Sequence, residues 1–321
     1  MRERRSIEGL RGSIWLGAWA LAACGAPAPA EPTEPITAGD EAKAAEVEEA
    51  VASVPVFTLG GFSAPESVLH DPRADVYLVA NVQGSPVERD QNGFISKVSP
   101  DGTMLEPHFI VGGQGHGLSA PKGMVLSGEL LFVADIDRVF AFHRDTGELR
   151  SETVIPGATF LNGVTLGSEG EIYVTDSGLS MGDDGFVASG SDAVYVLRGQ
   201  GPEVVVKDPS LGRPNGILFS EEGLWVVTFG TGELYRIDHE REVRDRRTLP
   251  DGTLDGIVQL RDGRLAISSW EGESVLVGEA RGEFTRAITD VTSPAAIGYD
   301  ETRGRVIVPL FMKDEIAAFV P

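Results

Sequence analysis

The chain has little with which to cross-link itself. Its 321 residues include a single cysteine, Cys24, so no intramolecular disulfide can form. Positive charge is also scarce. Lysine and arginine total 27 against 49 aspartates and glutamates, giving a formal charge of −22. A surface of that sign repels nucleic acid and attracts cations. Long hydrophobic runs are missing too. Ser13–Ala23 is apolar but too short to span a bilayer comfortably. Glycine, by contrast, is plentiful at 40 residues, as a fold with a hairpin turn every ten or so residues requires.

What is present is a repeat. A short phrase begins at Glu66-Ser67-Val68, Lys122-Gly123-Met124, Asn162-Gly163-Val164, Asn215-Gly216-Ile217, Asp255-Gly256-Ile257 and Ala295-Ala296-Ile297. The spacings are 56, 40, 53, 40 and 40 residues. Several short strands in each unit of that length are the pattern of a propeller blade. The sequence therefore predicts an all-β, six-bladed β-propeller of four-stranded blades over residues 54–321. The sixth unit is one strand short, and Val54–Leu59 is a spare strand ahead of the first. Pairing these two would close the ring and protect its edges. Loops between second and third strands, with the links between blades, open on one face. Asn81–Gly93, Gly112–Pro121 and Asp176–Asp192 are the long ones, and long loops on a rigid scaffold are where sites collect.

In equivalent blades, the leading residues of the six phrases line the channel. Glu66, Asn162, Asn215 and Asp255 offer hard oxygens, suited to Ca²⁺ more than to zinc or copper. Taken singly, Asn-Gly and Asp-Gly are also the commonest turn dipeptides, as at Asn92-Gly93 and Asp101-Gly102. Glu66 is no turn former, and four oxygen-bearing residues in one register favour a metal site. Lys122 shares that register with two roles open to it. Its ammonium either enters the ring and competes with the cation for a carboxylate, or points outward to an anionic substrate. His116, in the glycine-rich loop Gly112–Gly117, is a candidate proton shuttle, with a solvated loop histidine as the ordinary alternative. Trp270 and Phe311 follow second strands and are placed to floor the pocket.

The segments Ala64-Pro65-Glu66-Ser67-Val68, Leu161-Asn162-Gly163-Val164, Arg213-Pro214-Asn215-Gly216-Ile217 and Leu254-Asp255-Gly256-Ile257 resemble those of the gluconolactonase / senescence-marker-protein family of six-bladed propellers. That resemblance runs from about Val54 to Pro321. It implies a divalent cation, usually Ca²⁺, on Glu66, Asn215 and Asp255 with Asn162 nearby. It also implies hydrolysis of lactones or related esters, with Asp255 as general base and Asn162 orienting substrate or water. Sugar-lactone members often carry an arginine where Phe160 stands here, so a polyol contact is lost and the pocket becomes more apolar. The alternative is a non-catalytic propeller that binds a ligand or partner protein at a membrane surface.

The first 23 residues, basic at the start and ending Leu21-Ala22-Ala23 before Cys24, resemble a bacterial lipoprotein signal. On that reading Cys24 is acylated, residues 24–53 are a Pro/Ala/Glu-rich tether, and the mature chain is a monomer. It would be lipid-anchored in the cell envelope, periplasmic or surface-facing, and act on a small-molecule lactone or ester. A plain secretory signal is the alternative.

Overall fold

The computed structural model describes residues 53–321 except Asp184 and Gln200. The expected signal, the acylated Cys24 and the tether lie outside the described residues. Among the described residues no helix is long and apolar enough to cross a membrane.

Six four-stranded antiparallel sheets follow one another along the chain. Their inner strands are Pro65–Asp71, Met124–Ser127, Leu161–Leu166, Pro214–Ser220, Leu254–Gln259 and Gly298–Asp300. The second strands are Val76–Asn81, Leu130–Asp135, Ile172–Asp176, Gly223–Thr228, Leu265–Ser269 and Arg305–Leu310. Neighbouring inner strands touch all the way round, and the sixth meets the first through the parallel bridge Ser67–Ala296. The fold is a six-bladed propeller.

No blade can bury its own faces, so the core is divided among the six blade–blade interfaces. Val76, Leu78 and Ile95 of blade one pack with Leu131, Val133 and Phe140 of blade two. Trp225 and Val227 of blade four meet Leu254 and Ile267 of blade five. At the join, Val68, Tyr77 and Val79 of blade one pack on Ile307, Ile316 and Ala318 of blade six.

Phe57–Gly60 supplies the fourth strand of the sixth sheet, pairing Phe57 with Ala318 and Gly60 with Glu315. It starts three residues later than the strand expected at Val54–Leu59. Away from the expected site face, His70, Asp75, Asp300 and Arg303 link the first and last blades. His70 Nδ1 lies 3.6 Å from Asp300, Arg303 reaches Asp75 at 2.7 Å, and Tyr77 donates to Asp300 at 2.7 Å.

The third blade departs from the regular plan. The segment read as a long loop, Asp176–Asp192, contains a two-stranded hairpin, Leu179–Gly182 with Gly185–Ala188. Asp176 is paired with Leu161, so this hairpin leaves the blade level with Asn162.

Candidate metal and substrate site at the hub

The phrase that marks each blade lies inside a strand in four of the six, and the glycine that three of these four carry is not there to make a turn. Register shifts fall between Pro65 and Ser67, Leu161 and Val164, Pro214 and Ile217, and Leu254 and Ile257. Each shift is a β-bulge, and each holds one of Glu66, Asn162, Asn215 and Asp255. A bulge re-aims a side chain and bends its strand. Here four bulges act at equivalent places on four blades.

The glycines let the bulged strands converge. A Cβ on Gly123 would come 2.5 Å from Asn162 O. Added to Gly163, Gly216 or Gly256, it would overlap Asn215 O, Asp255 O and Ile297 N respectively. The chain of approaches closes through Ala296 N, which donates to Glu66 O at 2.9 Å, and Ser67 Oγ, which donates to Lys122 O at 2.6 Å. Buried hydroxyls fill the remaining space. Thr175 Oγ1 donates to Asn215 O at 2.6 Å and Ser268 Oγ to Ala295 O at 2.8 Å. The six phrase-leading residues thus stand in one ring.

Glu66, Asn162, Asn215 and Asp255 are each at most 6% exposed. Each has a buried oxygen with no hydrogen-bond partner: Glu66 Oε2, Asn162 Oδ1, Asn215 Oδ1 and Asp255 Oδ1. Buried polar atoms are nearly always paired, so four orphans at equivalent positions of one ring mark a candidate ligand-binding centre. Two carboxylates and two amide oxygens are the donor types that a hard divalent cation takes.

The electrostatics agree. Burial pushes Asp255 up to about 7, against the hydrogen bond that Trp270 Nε1 donates to its Oδ2 at 2.8 Å. Burial, reinforced by the charge on Asp255, raises Glu66 well above the usual carboxylate range, while Lys122 opposes. Such a pair is short of positive charge.

Lys122 does not supply it by contact. Its Nζ donates to Pro86 O and Ala120 O, both at 3.1 Å, and lies 4.5 Å from the centre of the Phe160 ring. Of the two roles open to it, a hydrogen bond to a ring carboxylate is not made, and the ammonium is tied back beneath Phe160 at 1% exposure. Burial lowers its pKa against the pull of Asp135, Glu66 and Asp176.

His116 is not brought to the hub. Its ring packs edge-on against Phe142 at 4.9 Å and near Phe140 at 6.0 Å, on the third strand of blade two. Within the loop Gly113 N donates to His116 O at 3.0 Å. Trp270 is at the hub, holding Asp255, with Phe229 edge-on at 5.8 Å and Phe311 tilted against it at 5.6 Å.

Two residues escaped the reading of the sequence. Asp135 accepts from Ser119, Ala120 and Ile136 N–H, and Asp176 from Thr159, Phe160 and Gly178 N–H. They fix the loops that deliver Lys122 and Phe160. The available signal was an Asp closing the second strand in both blades.

Elsewhere, Glu129, His143 and Asp145 come within ligand distance of one another on the surface. Arg73 already bridges Glu129 and Asp145 at 2.5 Å each, which supplies the positive charge that cluster calls for.

Solved structures of similar fold exist. A gluconolactonase from Xanthomonas campestris is 18% identical, with 83% of this chain and 89% of that one aligned at a TM-score of 0.63. A luciferin-regenerating enzyme is 11% identical, covering 81% and 91% at 0.58. Virginiamycin B lyase from Staphylococcus aureus is 14% identical, covering 83% and 99% at 0.58. No protein-family profile and no curated protein sequence matches the chain. At these identities the likeness establishes the fold and nothing narrower.

Proposed function

We propose that the protein is a metal-dependent hydrolase of lactones or related esters, with its active site at the hub. The observation that carries this reading is the set of four partnerless buried oxygens on Glu66, Asn162, Asn215 and Asp255. The gluconolactonase among the structural neighbours supports the reaction class. A divalent cation held there, Ca²⁺ by the hardness of its ligands, would supply Lewis-acid polarisation of the substrate carbonyl and a more acidic water.

The chain's own groups do the rest. Trp270 pins Asp255 Oδ2, which leaves Oδ1 to take a proton from the attacking water. As the water oxygen bonds to the carbonyl carbon and the ring C–O bond breaks, the departing alkoxide takes that proton back from Asp255 and a hydroxy acid forms. Asn162, whose Nδ2 lies 3.4 Å from Ser177 Oγ, keeps its Oδ1 free to orient water or substrate. Lys122 supplies positive charge beside Glu66 without a hydrogen bond to either ring carboxylate.

The test is hydrolysis of aldonolactones, acyl lactones and aryl esters with Ca²⁺, Mg²⁺, Mn²⁺ or Zn²⁺ present. Turnover should be abolished by chelator, and Asp255→Ala should lower kcat/KM by roughly 10²–10⁴-fold. No turnover of any of these substrates with any of these ions would remove the proposal.

A further inference from the structure

A second ring lies level with the first. The residue that follows the second strand of each blade is Val82, Ile136, Ser177, Phe229, Trp270 or Phe311. In five blades the preceding strand end is paired at the start of the phrase: Asn81 with Pro65, Asp176 with Leu161, Thr228 with Pro214, Ser269 with Leu254, and Leu310 with Pro294. Five of the six collar residues are apolar. Val82 and Ile136 are buried, packed with Ala120 and with Ala64 and Phe311 against them, while Trp270 meets Phe229 edge-on and Phe311 at a tilt, these three rings being half-buried.

The polar exception is Ser177, whose hydroxyl is already committed to Pro214 O at 2.8 Å. Immediately after it the blade-three hairpin rises. Met181 and Phe186 are directly paired across that hairpin and therefore share a face. Phe186 meets Phe160 edge-on at 6.2 Å, so this face continues the wall that begins over Lys122. Met181 and Phe186 are nevertheless 53% and 45% exposed.

We infer that the substrate is a lactone or ester bearing an apolar alkyl or aryl substituent, which lies against the half-buried collar rings Phe229, Trp270 and Phe311 or the Phe160, Met181 and Phe186 wall. This rests on the hydrolase reading, because it is the hub that places the carbonyl. The collar argues against a polyol. Each hydroxyl of a sugar lactone needs a partner when buried, and an unpaired one costs more than an added methylene gains. An apolar substituent instead covers carbon surface that is already level with the carbonyl-binding ring.

The experiment compares kcat/KM for γ-lactones whose side chain grows from methyl to octyl, with glucono-lactone as the polyol. Binding of the corresponding non-hydrolysable γ-lactams is followed in parallel by Trp fluorescence. Specificity should rise roughly threefold to fourfold per methylene until the wall is covered. Phe186→Ser and Met181→Ser should flatten that slope through KM while the far-ultraviolet circular dichroism is unchanged. A flat series with faster turnover of glucono-lactone overturns the inference and leaves the hydrolase reading standing. Lactam affinity that climbs with chain length without turnover of any lactone supports the apolar subsite and removes the hydrolase. Neither turnover nor chain-dependent binding overturns both.

Discussion

A buried carboxylate with an unpartnered oxygen is a cost that the fold carries at the hub. Asp255 and Glu66 hold protons more tightly in the folded chain than in the unfolded one. Between the ordinary carboxylate value of about 4 and the value of about 7 for Asp255, the folded state binds more protons. Stability of the chelated protein therefore falls as pH rises through that window. The network at the blade-one and blade-six join has the opposite sign. Burial works to raise Asp300, but hydrogen bonds from Tyr77 and Arg303 outweigh it, and Arg303 holds the exposed Asp75 down at about 2. That contribution is complete above about pH 4 and is lost as acid protonates the carboxylates. Thermal denaturation in chelator should therefore give its highest Tm near pH 4–5, falling on both sides. Asp255→Asn removes one of the two confined charges. At pH 8 in chelator it should raise stability by about 2 kcal/mol, although it disables the site. A Tm that climbs steadily from pH 5 to pH 8 in chelator would contradict this account.

At the scale of the strand, the bulge and its glycine belong together. The fourfold Asn-Gly/Asp-Gly/Lys-Gly pattern was legible as a repeat, yet its glycines suggest turns, because turn chemistry dominates such dipeptides. Their use here is close approach between neighbouring inner strands, which only the assembled ring reveals. Gly216→Ala should cost about 3 kcal/mol or more in denaturant unfolding, since the new methyl has nowhere to go. Gly117→Ala, with open space around its Cβ and no left-handed backbone, should change little. Equal effects would show that crowding at the hub is not what selects glycine. The hairpin at 179–188 was not legible. Gly182-Asp183-Asp184-Gly185 reads as loop, and strands of four residues give too short an alternation to stand out. Lys122 and His116 failed to resolve for a different reason. Where a long side chain or a loop histidine points depends on non-local partners, Pro86 and Phe160 for one and Phe142 for the other.

For the whole molecule, the count of blades and the pairing of a leading strand with the last sheet followed from periodicity alone, because a ring permits few alternatives. The same equivalence made the four oxygen-bearing hub positions legible across 190 residues, from Glu66 to Asp255. The apolar collar needed the second-strand ends, whose boundaries sequence leaves loose by a residue or two. Closure by Phe57–Gly60 also has a consequence for handling the protein. A chain beginning after Gly60 leaves Glu315–Phe319 as a bare edge, and it should melt earlier and self-associate in size-exclusion chromatography. An unchanged, monomeric truncate would show that the interface around Tyr77 and Ile316 closes the ring unaided.

The central claim is that these distant oxygens form one cation site. Isothermal titration of the chelator-stripped protein with Ca²⁺, run beside Asp255→Ala and Asn215→Ala, tests it most directly. The expected result is one ion bound per chain at the hub, with binding sharply weakened in both variants. Absence of binding at millimolar Ca²⁺, or binding of equal strength in the two variants, would contradict it, the latter placing the ion elsewhere, as at Glu129, His143 and Asp145.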